Sequence, residues 1–161
     1  MWKEYFPNSM IYGIDIDPRC KASKSDRIKV FIGSQSDPAV IQEVCQEANG
    51  QFDVILDDGS HVNELTLKSF DLLFPHLKYG GLYIIEDTSC TYLGESLKKG
   101  IIDGAWPGMQ YNQGVEFNNN REDMDALFKR VIFDLDSKTG EIEWLHFYSG
   151  FVIMKKIGIS K

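Results

Sequence analysis

Hydrophobic positions fall along this chain in short blocks, and several blocks end on acidic, glycine or hydroxyl residues. The clearest is 52–57, where Val54-Ile55-Leu56 stops abruptly at Asp57-Asp58-Gly59-Ser60-His61. A brief unbroken apolar run of this kind predicts a strand buried on both faces, as in a parallel sheet. Similar runs predict strands at 11–16, closed by Asp17-Pro18, at 28–32, closed by Gly33-Ser34-Gln35-Ser36, and at 82–86. Residues 2–6 read as a last helical turn stopped by Pro7-Asn8, and 19–26 as a short helix or loop. Asp37-Pro38 opens a helix, with Asp at the cap and Pro at the first helical position. Val40, Ile41, Val44 and Ala48 form its apolar stripe.

Asn63 is the expected cap of the next helix, whose core contacts are Leu65, Phe70, Leu72, Leu73 and Leu77; Gly80-Gly81 is the expected turn after it. Strand, helix and strand at this spacing make a right-handed parallel βαβ unit. Between 88 and 120 the periodicity fades and glycines recur, the pattern of a lid or binding loop that is partly mobile or ordered by a partner subunit. Tyr92, Trp106 and Tyr111 there either line a substrate pocket or pack on a neighbouring subunit. A helix over 122–131 and strands at 142–148 and 151–156 complete the chain, the last two joined tightly enough by Ser149-Gly150 for an antiparallel hairpin. The expected fold is α/β, a mostly parallel sheet with a C-terminal antiparallel hairpin, in a single domain over 1–161.

Composition narrows the partners. With 161 residues, 43% hydrophobic and 25% charged, the chain has the profile of a soluble globular protein. No apolar run reaches membrane-spanning length and the N-terminus lacks a signal peptide's apolar core, so the cytoplasm is expected and a membrane is not. A net charge of -7 without any Lys/Arg-rich block argues against nucleic acid. Cys20, Cys45 and Cys90 are too few and too far apart for a zinc site or disulfide framework, and read as reduced thiols, mostly buried.

The candidate chemistry lies at strand ends, where open α/β sheets bind ligands. Asp57-Asp58 and Glu86-Asp87 end two strands of one βαβ unit. If the strands are neighbours, about 4.8 Å apart, their carboxylates share one hard cation such as Mg²⁺. Asp58 and Asp87 are expected within about 6 Å of each other, as ligands of one ion must be. The plain alternatives are a polar Asp-Gly turn and water around exposed acids. His61, three residues after Asp58, is placed to take a proton from a hydroxyl held there; the plain alternative is a solvent-facing histidine at a helix start. His76 and His146 read as structural. Asp15, ending the first strand, suits the hydroxyls of a ribose, and 34–37 the edge of an adenine.

Taken together, Tyr12-Gly13-Ile14-Asp15-Ile16-Asp17-Pro18, Gly33-Ser34-Gln35-Ser36-Asp37, Asp57-Asp58-Gly59-Ser60-His61, Leu73-Phe74-Pro75-His76-Leu77 with Gly80-Gly81, and Glu86-Asp87 resemble class I S-adenosylmethionine-dependent methyltransferases. The likeness points to the metal-dependent O-methyltransferases of macrolide sugars and to the rhamnosyl O-methyltransferase or cephalosporin hydroxylase group. It runs from residue 1 to about 90 and returns over 146–155. It implies a Rossmann-like methyltransferase fold, with S-adenosylmethionine and Mg²⁺ as cofactors and a hydroxyl of a sugar or small natural product as acceptor. It implies Asp15 on the cofactor ribose, Gln35 and Ser36 near the adenine, and Asp57 near the methionine end. It also implies Asp58 and Asp87 on the metal, with Glu86 as a further ligand, and His61 as base.

One departure stands out: no G-x-G occurs, so the first strand, its Gly-rich loop and most of the next helix are expected to be missing, about 25 to 30 residues by the size of a βαβ unit. The rival expectations are an inactive remnant that keeps the fold and associates with itself, and a metal-dependent hydrolase using Asp58, Glu86 and Asp87 on water.

Overall fold

The computed structural model describes residues 1–92 and 119–158. The chain divides into two compact units, Met1–Gly50 and Gln51–Lys161.

In the first unit a short helix α1 (Trp2–Tyr5) leads to strand β1 (Ile11–Asp15), a 3₁₀ turn (Pro18–Ser23), strand β2 (Ile28–Ile32) and helix α2 (Pro38–Glu47). β1 and β2 pair in parallel, with Ile11 opposite Ile28 and Asp15 opposite Ile32. α2 starts as its sequence predicts: the Asp37 carboxylate accepts from the Ala39 N–H, and Pro38 supplies the first helical residue. A side-chain acceptor there satisfies a backbone donor that has no partner within the helix. The buried stripe is Ile41, Val44 and Cys45; Val40 and Ala48 are only half-buried. Arg27 ties down the N-terminal segment, its guanidinium donating to the carbonyls of Lys3, Phe6 and Ser9.

The second unit carries β3 (Phe52–Asp57), α3 (Asn63–Leu73), a 3₁₀ turn (Phe74–His76), β4 (Leu77–Ile85), a second 3₁₀ turn (Thr88–Tyr92), α4 (Arg121–Ser137), β5 (Ile142–Tyr148) and β6 (Phe151–Lys156). Its sheet order is β3-β4-β6-β5. β3 and β4 are parallel, as a βαβ unit demands, with Asp57 opposite Ile85. β6 runs antiparallel to both β4 and β5, and Gly150 turns the hairpin at φ 84°. Tyr83, Ile85, Val152 and Met154 are almost fully buried in this sheet, and Met124, Leu127, Phe128 and Val131 cover it from α4. Burying each such side chain stabilises the fold by about 1.5–3 kcal/mol.

Four expectations are corrected here. Gly80-Gly81 is not a turn between helix and strand; it lies inside β4, which begins at Leu77. A Cβ on Gly81 would stand 2.9 Å from the Asp53 carbonyl oxygen and 2.9 Å from the Leu77 Cδ1, so the close approach of β3 requires glycine. Asn63 is not the cap of α3; Val62 holds that position, and Asn63 is a buried first helical residue. β3 is not buried throughout: it ends its sheet, and Val54 is 45% exposed. The last helix runs beyond 131 to Ser137 and ends on Lys138 in the left-handed region.

Cys20, Cys45 and Cys90 are free thiols, two of them buried. Among the described residues no helix is long and apolar enough to cross a membrane. The expected loop at 88–120 is described only at its ends: 88–92 form the 3₁₀ turn, while Trp106 and Tyr111 lie outside the described residues. Tyr92 is exposed, with the Arg121 guanidinium 5.2 Å from its ring centre.

Candidate metal and cofactor sites

Because β3 and β4 are parallel and in register, the residues after Asp57 and Ile85 leave the sheet at the same end. The Glu86 N–H donates to the Asp57 carbonyl at 2.9 Å and fixes the level of the two exits. Asp58 follows β3 directly, Asp87 follows β4 by one residue, and His61 closes the first loop before α3.

Ligand atoms of Asp58, His61 and Asp87 all lie within 4.8 Å of one another. The His61 Nε2 is 3.6 Å from an Asp87 oxygen and 3.9 Å from an Asp58 oxygen. The imidazole is sheltered, its side chain only 11% exposed, against 55% for Asp58 and 51% for Asp87. His61 is therefore not the solvent-facing histidine of the plain alternative. Both His61 and Asp87 hold left-handed backbone, at φ 55° and 51°. Such a conformation costs a non-glycine residue about 1–2 kcal/mol and persists only where surrounding contacts impose it.

Glu86 lies outside this trio. Its carboxyl is nevertheless pushed up, first by loss of solvent and then by the charges of Asp58 and Asp87. Asp57 turns the other way: it is buried at 8% exposure, and its charge adds to the burial that raises the Tyr83 hydroxyl well above its ordinary value. Two carboxylates flanking an imidazole, oxygens open to solvent and nitrogen sheltered, form a donor set that fits a hard divalent cation on the oxygens.

The other predicted residues gather in the first unit. The Gly33 N–H donates to the Asp15 carbonyl at 2.9 Å, so Asp15 and the turn carrying Gln35 and Ser36 share one end of the β1–β2 pair. The Asp15 carboxylate accepts from the Asp17 N–H at 2.8 Å, and the Cys20 thiol donates to it, which raises that thiol. A carboxylate has about four acceptor positions, so capacity for a diol remains. Ser36 is buried, its hydroxyl 3.1 Å from that of Ser34.

Sequence reasoning missed a buried polar group beside the metal-type trio, made by Asn63, Thr91 and Asn119. Asn63 was readable only as a helix cap, and Asn119 lay at the end of a stretch without periodicity. The hint available was the run Asn118-Asn119-Asn120 directly before a helix.

No family profile matches the chain. It is 37% identical over 127 residues to demethylmacrocin O-methyltransferase of Streptomyces fradiae, covering 79% of this chain and 27% of that protein. It is 46% identical over 93 residues to L-olivosyl-oleandolide 3-O-methyltransferase of Streptomyces antibioticus, covering 57% of this chain and 23% of that one. Among solved structures it resembles the MycE methyltransferase of mycinamycin biosynthesis, crystallised with Mg, S-adenosylhomocysteine and mycinamycin VI. That likeness has a TM-score of 0.72 and 30% identity over 97% of this chain and 38% of MycE. The chain thus spans about a quarter of the length of the curated relatives it matches. It is homologous to macrolide and sugar O-methyltransferases, and it has the α/β Rossmann-like fold of class I S-adenosylmethionine-dependent methyltransferases.

Proposed function

We propose that this chain is the cofactor- and metal-binding part of an S-adenosylmethionine-dependent, Mg²⁺-assisted O-methyltransferase acting on a hydroxyl of a sugar or small natural product. The observation that carries this reading is the convergence of Asp58, His61 and Asp87 at the carboxyl end of a parallel strand pair. MycE supports it, being a homologue captured with Mg and the demethylated cofactor.

In this reading Asp58 and Asp87 hold the metal, with Glu86 beside them as a further acidic group. Bound Mg²⁺ supplies a lower pKa to a hydroxyl placed on it. His61 takes the hydroxyl proton at Nε2, and the flanking carboxylates stabilise the imidazolium that results. S-adenosylmethionine, when bound, would supply the methyl group to the deprotonated acceptor oxygen, its C–S bond breaking as the C–O bond forms and leaving the neutral thioether. Asp15 takes the ribose diol, Gln35 and Ser36 edge the adenine, and Asp57 lies toward the methionine end. Residues 1–161 are then one methyltransferase-like domain. Its partner is a small-molecule hydroxyl or a further copy of itself, and its free, mostly buried thiols suit the cytoplasm.

Calorimetric titration with S-adenosylhomocysteine, with and without Mg²⁺, tests the reading. Saturable binding strengthened by Mg²⁺ is expected. Absence of cofactor binding, or phosphoester turnover without added cofactor, would sink it in favour of the remnant or the hydrolase.

A further inference from the structure

We infer that Asn119 is a positioning residue for the metal-type trio, clamping the loop after β3 to the loop after β4; the inference deepens the metal reading above and rests on it. Asn119 is remote in sequence from every proposed ligand, yet one side chain touches both loops. Its amide nitrogen donates to the His61 carbonyl at 2.7 Å and to the Cys90 carbonyl at 3.3 Å. The Cys90 N–H in turn donates to the Asp87 carbonyl at 2.8 Å. A continuous path of three hydrogen bonds thus joins the backbone of Asp87 to the backbone of His61.

The other end of the amide completes the grip. The Asn119 Oδ1 accepts from the Asn63 N–H at 2.8 Å, at the first turn of α3. Asn63 then donates through its own side chain to the Thr91 hydroxyl at 2.9 Å and to the Asn120 carbonyl at 2.6 Å. The amide can sit only one way round, since two carbonyls face its nitrogen and an N–H faces its oxygen. Asn119, Asn63 and Thr91 are 6%, 5% and 3% exposed, so water does not compete for these bonds.

The clamp falls where the backbone is least willing. His61 and Asp87 are both left-handed, and the bonds within each loop, Val62 N–H to Ser60 Oγ at 3.2 Å and Cys90 N–H to the Asp87 carbonyl at 2.8 Å, do not join one loop to the other. A strained residue needs its conformation over-determined by surrounding structure. Asn119 supplies that to His61 directly and to Asp87 through Cys90. Removing it lets each loop relax separately, and ligand atoms held within 4.8 Å drift apart.

The experiment uses Mn²⁺ alone as probe, followed by its paramagnetic signal, beside amide hydrogen exchange on the same protein. Asn119→Ala is expected to weaken Mn²⁺ binding about 10- to 100-fold, the usual cost of losing a group that orients metal ligands. It is also expected to speed exchange in 58–63 and 86–91 together. Asn119→Asp keeps the shape and the bond from Asn63 but loses the donors, and serves if the alanine variant does not fold. Val131→Ala is the control: it lowers Tm by opening the α4 packing, with Mn²⁺ affinity unchanged. Asn119 variants that bind Mn²⁺ like the wild type while losing Tm would overturn the inference, as would faster exchange in one loop only. Should the wild type bind no Mn²⁺, the metal reading itself fails. The exchange result then decides the clamp alone, coupled acceleration upholding it and uncoupled or absent acceleration overturning it.

Discussion

The loops after β3 and β4 and the end of the β1–β2 pair look alike in sequence, since each places acids and hydroxyls after a short apolar strand. In the structure they differ in where their polar groups find partners. Asp15 is satisfied within five residues, by the Asp17 N–H and the Cys20 thiol, and Ser36 by Ser34. The trio of Asp58, His61 and Asp87 is assembled from two loops, on strained backbone, and is backed by an asparagine 58 residues beyond His61. Local satisfaction is what any strand-ending turn provides. Convergence across distant segments carries an entropic cost that local turn chemistry does not require. It is this convergence that separates a site from a polar strand end, and it makes the second region the firmer part of the functional reading.

The largest expected effect breaks that region outright. Asp58→Ala or Asp87→Ala should abolish Mg²⁺-dependent methyl transfer, with cofactor binding retained; turnover across a Mg²⁺ series and titration with S-adenosylhomocysteine read the two. His61→Ala should slow turnover by roughly 10²- to 10⁴-fold, the range for a lost general base, with Mg²⁺ dependence intact. If His61→Ala keeps wild-type turnover while Asp58→Ala does not, the metal alone activates the hydroxyl and the sheltered imidazole serves another purpose.

Asp15→Ala sharpens the other side of the comparison. A carboxylate that holds a ribose contributes about 1.5–3 kcal/mol through its hydrogen bonds, so affinity for S-adenosylhomocysteine should fall by roughly one to two orders of magnitude. Were titration to show unchanged affinity beside a small loss in Tm, Asp15 would be turn chemistry and no more. The smallest effect concerns structure alone. Asp37→Ala removes the α2 cap and should cost about 1 kcal/mol in urea unfolding, with Mn²⁺ binding at the Asp58–His61–Asp87 trio unaltered. Loss of Mn²⁺ binding in that variant would contradict the separation of the two regions.

Much of this was legible from residue order. The apolar run ending at Asp57, the Asp37-Pro38 helix start and the Ser149-Gly150 hairpin obey local rules that need no tertiary knowledge, and each element forms where they place it. Placing Asp58 and Asp87 together needed one inference more, that β3 and β4 are parallel neighbours, and the pairing shows it. The misreadings share a cause. Gly80-Gly81 reads as a turn because glycine breaks helices and strands alike; what demands Gly81 is the Asp53 carbonyl on the neighbouring strand. Asn63 reads as a cap because asparagine favours caps; its partners are Thr91 and Asn120, 28 and 57 residues away. Propensity is local, and these side chains answer to non-local partners.

The left-handed backbone at His61 and Asp87 bears on how such a sequence evolves. Glycine occupies that region freely, so a glycine at either position would relieve about 1 kcal/mol or more of strain. A population screened only for heat resistance would drift toward glycine at both positions, and would discard an imidazole and a carboxylate as it did so. Stability and chemistry thus pull against each other at two identified residues, a trade-off general to active sites but seldom so localised. Engineering a more robust version of this chain should therefore begin elsewhere, at positions such as the exposed Val54, and leave these two strained backbones as they are.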